Sequence, residues 1–409
     1  MKYLTKKKIF FIVFVIVVFG FAAYNIYQNR DALLKTVEKE ASKGSYFDID
    51  IDNIDSALTE NMEYRLEFIE SFGMMQKLMG KDEFNNFEFV KDHNGFLNYG
   101  AFYREDDPDI FEYAQRVKRL QNYVEPYGTK VLFVITPSKY DRNNSDYSDD
   151  MPVNDPYNKI NELKFYLRRL GVETLDLGDS LPGDRITYED AFFKTDHHWT
   201  PMAAFEAADI LTDELNERFE ANLDPFDYYG NIDNYEVKEY SNIMLGSMGR
   251  NTGVNYSGMD DFTAVIPTFD GNFTRRYYEE DGSRTKLEGT IHETLLNYDL
   301  LKKDLNIYEE DPYAFYLDEL KTFEKIDNNE LTDGDSVLFL RDSYFSPVMT
   351  FMAPLFKEMD AMYLLEESDE FDIEDFIKGE YEEDDDYDYI IIEMYPGNID
   401  DDAFNFFED

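Results

Sequence analysis

The chain has 409 residues and a formal net charge of −49, because 88 Asp and Glu residues face only 39 Lys and Arg. This length predicts one large domain with an insertion, or two domains. The negative field repels phosphate backbones, so we expect no nucleic-acid partner and interpret the acidity as a solvated surface. The chain has no Cys, which excludes disulfides, thiolate metal sites and a Cys nucleophile.

The N-terminus reads as a membrane anchor. Residues 1–8 form a short basic tail with four lysines, and an apolar run from Ile9 to Tyr27 follows. The run is long enough to span a bilayer, and the lysines predict that the tail is cytoplasmic and the rest of the chain extracellular. The alternative is a cleaved signal peptide, although residues 20–24 offer no clean cleavage motif.

The remainder divides into a juxtamembrane helical region over 28–85 and a globular domain over 86–409. Apolar runs typical of buried parallel strands alternate with helical patterns, which predicts an α/β sheet. Residues about 222–330 break this rhythm and read as an irregular, partly β insertion. The expected strands are Lys130–Thr136, Val172–Leu177, Val337–Leu340, Ala361–Leu365 and Tyr387–Tyr395, and the main expected helices are 109–124, 156–170, 201–219 and Pro347–Met359.

The run from Thr195 to Thr200 concentrates rare residues. It holds two of the four His and the only Trp, directly after Asp196. An acid beside His197 and His198 predicts acid–base chemistry, whereas the plainer interpretation is a helix N-terminus capped by Thr200. A metal site is not expected, because adjacent His side chains diverge and His ligands usually need helical spacing or other elements.

A His base needs a nucleophile, and three Ser residues follow an Asp. Ser180 and Ser336 carry the literal Gly-Asp-Ser string, and Ser343 lies in Arg-Asp-Ser-Tyr. A nucleophilic Ser works best on a sharp turn between a strand and a helix, where backbone N–H groups can stabilise an oxyanion. Ser336 precedes its strand and no helix opens after Ser180, so position selects Ser343. A simple turn or capping role is the alternative.

Three segments, FFKTDHHWT, LFLRDSYF and YIIIEMYPGN, together resemble the DHHW family. That family is similar to the SGNH-hydrolase-like polysaccharide O-acetyltransferases of alginate-type systems. In both, an Asp-x-His-Trp motif precedes the Ser motif, a permuted order relative to ordinary SGNH esterases. The resemblance covers about 86–409 and implies a flavodoxin-like three-layer α/β/α domain.

The resemblance also implies a triad of Ser343 as nucleophile, His198 as base and Asp196 orienting His198. One departure is Arg341, where the acetyltransferases have Gly, which puts the efficiency or the reaction of the site in question. We expect the Ser343 or Tyr344 N–H to stabilise the oxyanion. The remaining supporting candidates are Asp342 beside the nucleophile, Lys139 and Arg250 as further oxyanion donors, His197 as an alternative base, and Trp199 as a sugar platform, a site wall or core packing.

These features predict a membrane-anchored, extracytoplasmic O-acyltransferase that acetylates a cell-surface or secreted glycan through an acyl-enzyme. No cofactor is expected, since a partner or a small acyl ester supplies the acyl group. The resemblance implies a multi-spanning acyltransferase of the MBOAT type as that partner. The alternatives are a carbohydrate acetyl esterase and a catalytically inactive surface scaffold or glycan-binding protein.

Overall fold

The computed structural model describes residues 2–43, 51–101, 109–148, 150–278, 283–318, 320–364, 372–383, 386–400 and 402–408. The chain divides into two compact units, Met1–Met79 and Gly80–Asp409. The first unit is helical and consists of α1 Lys2–Gln28, α2 Arg30–Lys43, α3 Ile51–Glu60 and α4 Arg65–Leu78.

Helix α1 contains the only segment of the described chain that is long and apolar enough to cross a membrane, Lys6–Gln28. It lies near the N-terminus, and both a membrane anchor and a signal sequence have this length and composition.

The second unit begins at Gly80 rather than at residue 86, because a short first strand pairs with the hairpin that follows it. Its elements in chain order are β1 Glu83–Phe84, β2 Phe89–Lys91, β3 Leu97–Tyr99, α5 Ile110–Val124, β4 Lys130–Ile135, α6 Tyr157–Leu170, β5 Glu173–Asp176, α7 Tyr188–Ala191, α8 Pro201–Phe219, β6 Tyr235–Met244, α9 Ser247–Thr252, α10 Val254–Ser257, β7 Asp260–Pro267, β8 Phe273–Tyr278, β9 Arg284–Gly289, α11 Ile291–Thr294, β10 Phe323–Asn328, β11 Ser336–Arg341, α12 Phe345–Met352, β12 Glu358–Tyr363, α13 Ile373–Glu382 and β13 Tyr389–Met394.

An eight-stranded sheet in the order β5-β4-β13-β11-β12-β10-β8-β9 forms the centre of this unit. Strands β5 to β12 in that order are parallel, and β10, β8 and β9 extend the sheet in antiparallel fashion. Segment 222–330 thus contributes three strands to the main sheet, which its Asn-, Tyr- and Gly-rich sequence did not indicate. Strands β6 and β7 pair separately.

Helices cover both faces of the sheet. Leu132 and Val134 of β4 pack in one apolar cluster with α8 and α12, whereas Val131, Phe133 and Ile135 pack in another with α5, α6 and α13. This alternation follows from the two-residue repeat of a strand, which sends successive side chains to opposite faces. The result is the three-layer α/β/α arrangement expected from the sequence.

One predicted helix is too long. The segment Pro347–Met359 was expected to be helical, but α12 ends at Met352, a short 3-10 turn follows, and β12 begins at Glu358. Pro354 lies in that turn and explains the early end, because its ring cannot supply the N–H that would continue an α-helix.

Candidate active site

The Asp-His-His-Trp run forms a tight turn ahead of α8. Phe192 and Trp199 form an isolated antiparallel bridge, and Thr200 N donates to Ala191 O at 2.8 Å. Thr200 also caps α8, since its side chain accepts from Ala203 N. The capping role is therefore confirmed, and it is compatible with the chemical role predicted for this run, because the cap fixes where the turn ends.

Asp196 is buried and its carboxylate oxygens accept three hydrogen bonds. Oδ1 accepts from His198 N at 2.9 Å and faces His198 Nδ1 at 2.6 Å. Oδ2 accepts from Ser247 N at 2.5 Å. A carboxylate that bonds both the backbone and the ring of a residue two positions later fixes the orientation of that imidazole.

The other ring nitrogen of His198 reaches Ser343. Nε2 lies 2.7 Å from Ser343 Oγ, so carboxylate, imidazole and hydroxyl form one continuous line of hydrogen bonds. His198 itself is buried and stacks on the Tyr313 ring, with centroids 4.1 Å apart, while Ser343 is half-buried. This is the geometry in which an imidazole can take a proton from a hydroxyl.

The local charges favour an ionised Asp196 and a neutral His197. Burial acts to raise the pKa of Asp196, but His197 and His198 outweigh it and leave the pKa well below its ordinary value. Burial, followed by the charge of His198, lowers the pKa of His197 to about 3. The His197 ring is 22% exposed, and its Nδ1 lies 3.1 Å from Ser247 Oγ.

Ser343 sits on the turn between β11 and α12, as expected for a nucleophile. Asp342 holds this turn from within: its Oδ1 accepts from Tyr344 N at 2.9 Å, and its Oδ2 accepts from Tyr395 N at 2.8 Å and Asn398 Nδ2 at 2.9 Å. The Tyr344 N–H is therefore occupied and does not serve an oxyanion. Within the described chain the Ser343 N–H has no partner.

Glu393 supports the same turn from β13. Its Oε2 accepts from Asp342 N at 3.0 Å, and its side chain is fully buried. Burial, followed by the charge of Asp342, raises the pKa of Glu393 well above its ordinary value. The protonated form is thus favoured, which avoids two buried negative charges side by side.

Arg341, the departure from the acetyltransferase pattern, lies in a buried ionic chain. Its NH2 donates to Glu324 Oε1 on β10 at 2.8 Å, and Arg275 Nε on β8 donates to Glu324 Oε2 at 2.8 Å. Its NH1 lies 3.3 Å from Ser346 Oγ, at the start of α12. The larger residue is accommodated because the added strands supply its counter-ion.

Trp199 packs in the core. It is fully buried, and its indole N–H lies 3.0 Å from Tyr344 O and 3.1 Å from Tyr313 OH. The possible role as a sugar-stacking platform is therefore wrong, since no face of the ring is open. Tyr344 is also fully buried, and its hydroxyl donates to His197 O. Both residues support the site without reaching a substrate.

The two suggested cationic oxyanion donors are also corrected. Lys139 is fully buried, and its ammonium donates to Asp196 O at 2.6 Å and Lys194 O at 3.0 Å. Arg250 instead binds the loop around Asp311, with its NH2 3.2 Å from that carboxylate. Lys139 thus positions the Asp-His-His-Trp turn, because a buried ammonium needs hydrogen-bond acceptors and these two are backbone carbonyls at the start of that run.

The two Ser residues with the literal Gly-Asp-Ser string lie elsewhere. Ser336 begins β11, at the opposite end of the strand from the Ser343 turn, and its side chain is 3.1 Å from Asp388. Ser180 ends a short 3-10 turn after β5 and no helix follows it directly. Position within the sheet, rather than the string, separates Ser343 from both.

Sequence reasoning missed several residues that organise the site. Ser247, Asp260 and Tyr313 come from the segment taken as an irregular insertion, and Asp260 accepts from Thr195 N at 2.7 Å. The glycine-punctuated loop did carry a signal. A Cβ on Gly246 would lie 2.2 Å from the Asp196 Cβ, so only glycine permits this close approach.

A metal ion could geometrically reach Asp196, His197 and His198, since one ligand atom from each lies within 4.8 Å of the others. However, Asp196 Oδ1 and His198 Nδ1 are hydrogen-bonded to each other. A metal ligated through these atoms would have to displace that proton, so the donor set fits a proton relay better than a coordination sphere.

Residues 96–236 match the model of the family described as "SGNH hydrolase-like domain, acetyltransferase AlgX". No curated protein matches the sequence. Bacillus cereus PatB1 with a sulfonyl adduct is similar in fold, with 16% identity, a TM-score of 0.61, and coverage of 78% of this chain and 97% of that one. A DHHW family protein from Eubacterium siraeum shares 17% identity with a TM-score of 0.50, covering 76% and 94%.

The resemblance drawn from the sequence motifs is therefore confirmed. The solved structures share the fold of this chain, and the family model covers the segment that carries Asp196 and His198. The chain contains an SGNH hydrolase-like domain, and the family match supports its assignment to the acetyltransferase or esterase class of enzymes.

Proposed function

We propose that this protein is an extracytoplasmic O-acyltransferase that moves an acetyl group onto a hydroxyl of a cell-surface or secreted glycan. Its triad is Ser343, His198 and Asp196. The observation that carries the proposal is the line of hydrogen bonds from Asp196 Oδ1 through both ring nitrogens of His198 to Ser343 Oγ, with contacts of 2.6 and 2.7 Å.

In the first half-reaction Ser343 Oγ attacks the carbonyl carbon of an acyl ester. His198 Nε2 takes the hydroxyl proton, and the C–O bond to the leaving alcohol breaks as that proton passes to the leaving oxygen. Asp196 stays ionised and stabilises the imidazolium that forms in between. The Ser343 N–H faces no partner in the described chain and is the donor best placed for the oxyanion.

In the second half-reaction a sugar hydroxyl replaces the leaving alcohol. His198 takes its proton, the sugar oxygen attacks the acyl carbon, and the proton returns to Ser343 as the acyl-enzyme ester breaks. Water in place of the sugar hydroxyl gives the carbohydrate acetyl esterase, so transfer and hydrolysis share every protein group. The acetyltransferase description of the matched family favours transfer.

The proposed location rests on α1. If Lys6–Gln28 stays attached as an anchor, the lysines before it hold the N-terminus in the cytoplasm and place the site outside the cell. Acetyl groups must then cross the membrane. A multi-spanning acyltransferase of the MBOAT type is the partner that could hand an acyl ester to Ser343.

The test is turnover of p-nitrophenyl acetate by the full-length protein in detergent. Ser343→Ala should abolish it, while Ser180→Ala and Ser336→Ala, the two matched Gly-Asp-Ser controls, should retain it. A sulfonyl fluoride should add one sulfonyl group to Ser343, as PatB1 carries a sulfonyl adduct. Loss of activity in Ser180→Ala but not in Ser343→Ala would overturn the assignment.

The competing functions give different results in the same assay. Product that appears on added oligosaccharide faster than free acetate identifies a transferase, and the reverse identifies an esterase. No turnover and no sulfonyl labelling would favour the inactive scaffold. Activity lost with a chelator and regained with a divalent cation would favour the metal interpretation of Asp196, His197 and His198.

A further inference from the structure

Helix α4 carries an apolar face that is turned outward. Leu78 is 76% exposed, Met79 54%, and Phe68, Met74 and Met75 each about half. Few water-soluble surfaces present so many large apolar side chains within four helical turns.

The exposed apolar residues share one side of the helix, which also carries the exposed Glu67 and Ser71. Tyr64, Phe68, Met75 and Met79 recur at spacings of four and seven residues, which places them in one stripe. Met74 and Leu78, four apart, flank it. This arc is the surface that a helix of this sequence would be expected to bury.

The inward side of α4 is mixed. Gly73 and Gln76 are buried, Leu66 and Ile69 are half-buried, and Gln76 Oε1 has no hydrogen-bond partner in the described chain. The helix exposes its Met and Phe side chains while it buries a glycine and a glutamine, which is not the pattern of a soluble amphipathic helix. The outward face therefore needs an apolar surrounding.

The start of α4 lies beside the outer end of α1. The Phe21 and Phe68 rings are in edge contact with centroids 5.6 Å apart, and Glu63 N donates to Asn25 Oδ1 at 2.7 Å. Asn25 is three residues before the end of α1 at Gln28, about 4.5 Å along the axis. If α1 spans a bilayer, this level is the membrane–water boundary.

The net charge of α4 is compatible with a position at the membrane–water boundary. Between Tyr64 and Met79 the two basic residues, Arg65 and Lys77, balance the two acidic residues, Glu67 and Glu70. The segment is thus formally neutral in a chain whose net charge is −49. Lipid headgroups are not repelled here as they would be from the rest of the protein.

We propose that α4 lies in the outer interface of the membrane, with the stripe of Tyr64, Phe68, Met75 and Met79 inserted among the lipids beside α1. The inference rests on the anchoring role of α1 in the proposed function. It adds a second membrane contact, so the first unit is bound to the membrane through α4 as well as through α1.

The test uses quenching by brominated lipids. Trp199, the only Trp, is fully buried and gives a constant background in the full-length chain. In phosphatidylcholine vesicles with brominated acyl chains, the added emission of Leu78→Trp should fall at least twofold. Phe165→Trp, an exposed apolar position on α6 of the second unit, is the matched control and should not change.

A Trp at Phe14 within α1 separates the two proposals. If Phe14→Trp is quenched and Leu78→Trp is not, the anchor stands and the lipid contact of α4 is wrong. If neither is quenched, the anchoring role of α1 is wrong as well. Because the chain has no Cys, Met75→Cys offers a clean alternative test: oxidation to disulfide dimers without quenching at Leu78 would assign the face to a second copy.

Discussion

Asp196 and His198 are two residues apart and are joined by two hydrogen bonds, whereas the Ser343 turn is held by residues from distant strands. Asp342 binds Tyr395 N and Asn398, and Arg341 binds Glu324. Within the proposed triad, the contact between Asp196 and His198 is therefore local, although Ser247 and Lys139 also hold its turn, whereas the Ser343 turn depends on the assembled sheet. Damage to either half should cost activity, and the largest loss of stability is expected where a buried counter-ion beneath the Ser343 turn is removed.

The largest expected effect is on the rate of turnover, when the proposed proton transfer between Ser343 and His198 is removed. His198→Ala should lower turnover of p-nitrophenyl acetate on the order of 10⁴-fold or more, because Ser343 loses its base. Combined with Ser343→Ala it should cost nothing further, since the two act as a unit. A double variant markedly slower than either single variant would show that the two halves work separately.

Glu324→Gln should cost stability at the nucleophile half. It leaves the buried cations of Arg275 and Arg341 without a counter-ion, and breaking such a buried arrangement costs about 3–5 kcal/mol. Chemical denaturation measures this loss. Asp327→Asn on the same strand is the matched control, because it breaks an exposed pair with Arg276 that contributes at most about 1 kcal/mol. Equal losses in both variants would contradict the role given to Glu324.

Gly246→Ala should damage the Asp196 half and also lower stability. The new Cβ would lie 2.2 Å from the Asp196 Cβ and 2.6 Å from its Cα, so the backbone and the carboxylate must both move, and a displacement near 1 Å can cost about 10²-fold in rate. Gly379→Ala in α13 is the control, because nothing lies within 4 Å of its Cβ position. Wild-type turnover in Gly246→Ala would show that Asp196 does not need its present place.

The smallest effect concerns pH. His197 has a pKa lowered to about 3, so between its ordinary value near 6.5 and pH 3 the unfolded chain binds a proton that the folded chain does not. Stability is therefore lost as pH falls through this window, by at most about 1.4 kcal/mol per pH unit from this group. His197→Asn should flatten the fall in melting temperature between pH 6.5 and 4.5. An unchanged slope would mean that His197 titrates alike in both states.

The local half of the site was accessible to sequence reasoning because its partners are adjacent in the chain. The Asp-x-His spacing, the Thr200 cap and the order of strands and helices all depend on contacts within a few residues or on a simple repeat. Ser343 was reached by its position between a strand and a helix, and family resemblance joined it to His198. Their chemical roles remain predictions until the variants are measured.

What escaped depends on contacts between distant segments. Glu324 and Arg275 lie in a region with weak strand patterns, and nothing local shows that they meet Arg341. The sequence allowed Trp199 to be a sugar platform or a core residue, and only its burial decided between them. The charge of Lys139 did not indicate that its ammonium binds backbone carbonyls in the core. A polar residue is stable in a core only when it has hydrogen-bond or ionic partners, and a single sequence does not show which residues those partners are.

The ionic chain from Arg341 through Glu324 to Arg275 also limits which parts of the protein can be removed. Segment 222–330 resembles an accessory that could be trimmed to obtain a smaller enzyme, since the five parallel strands and the three triad residues lie outside it. Removal of this segment would delete Glu324 and leave the buried Arg341 guanidinium, next to the Ser343 turn, without a counter-ion. We therefore expect that the smallest folded form of the proposed site includes the added strands, and that a shorter version would need Arg341 to be replaced in the same step.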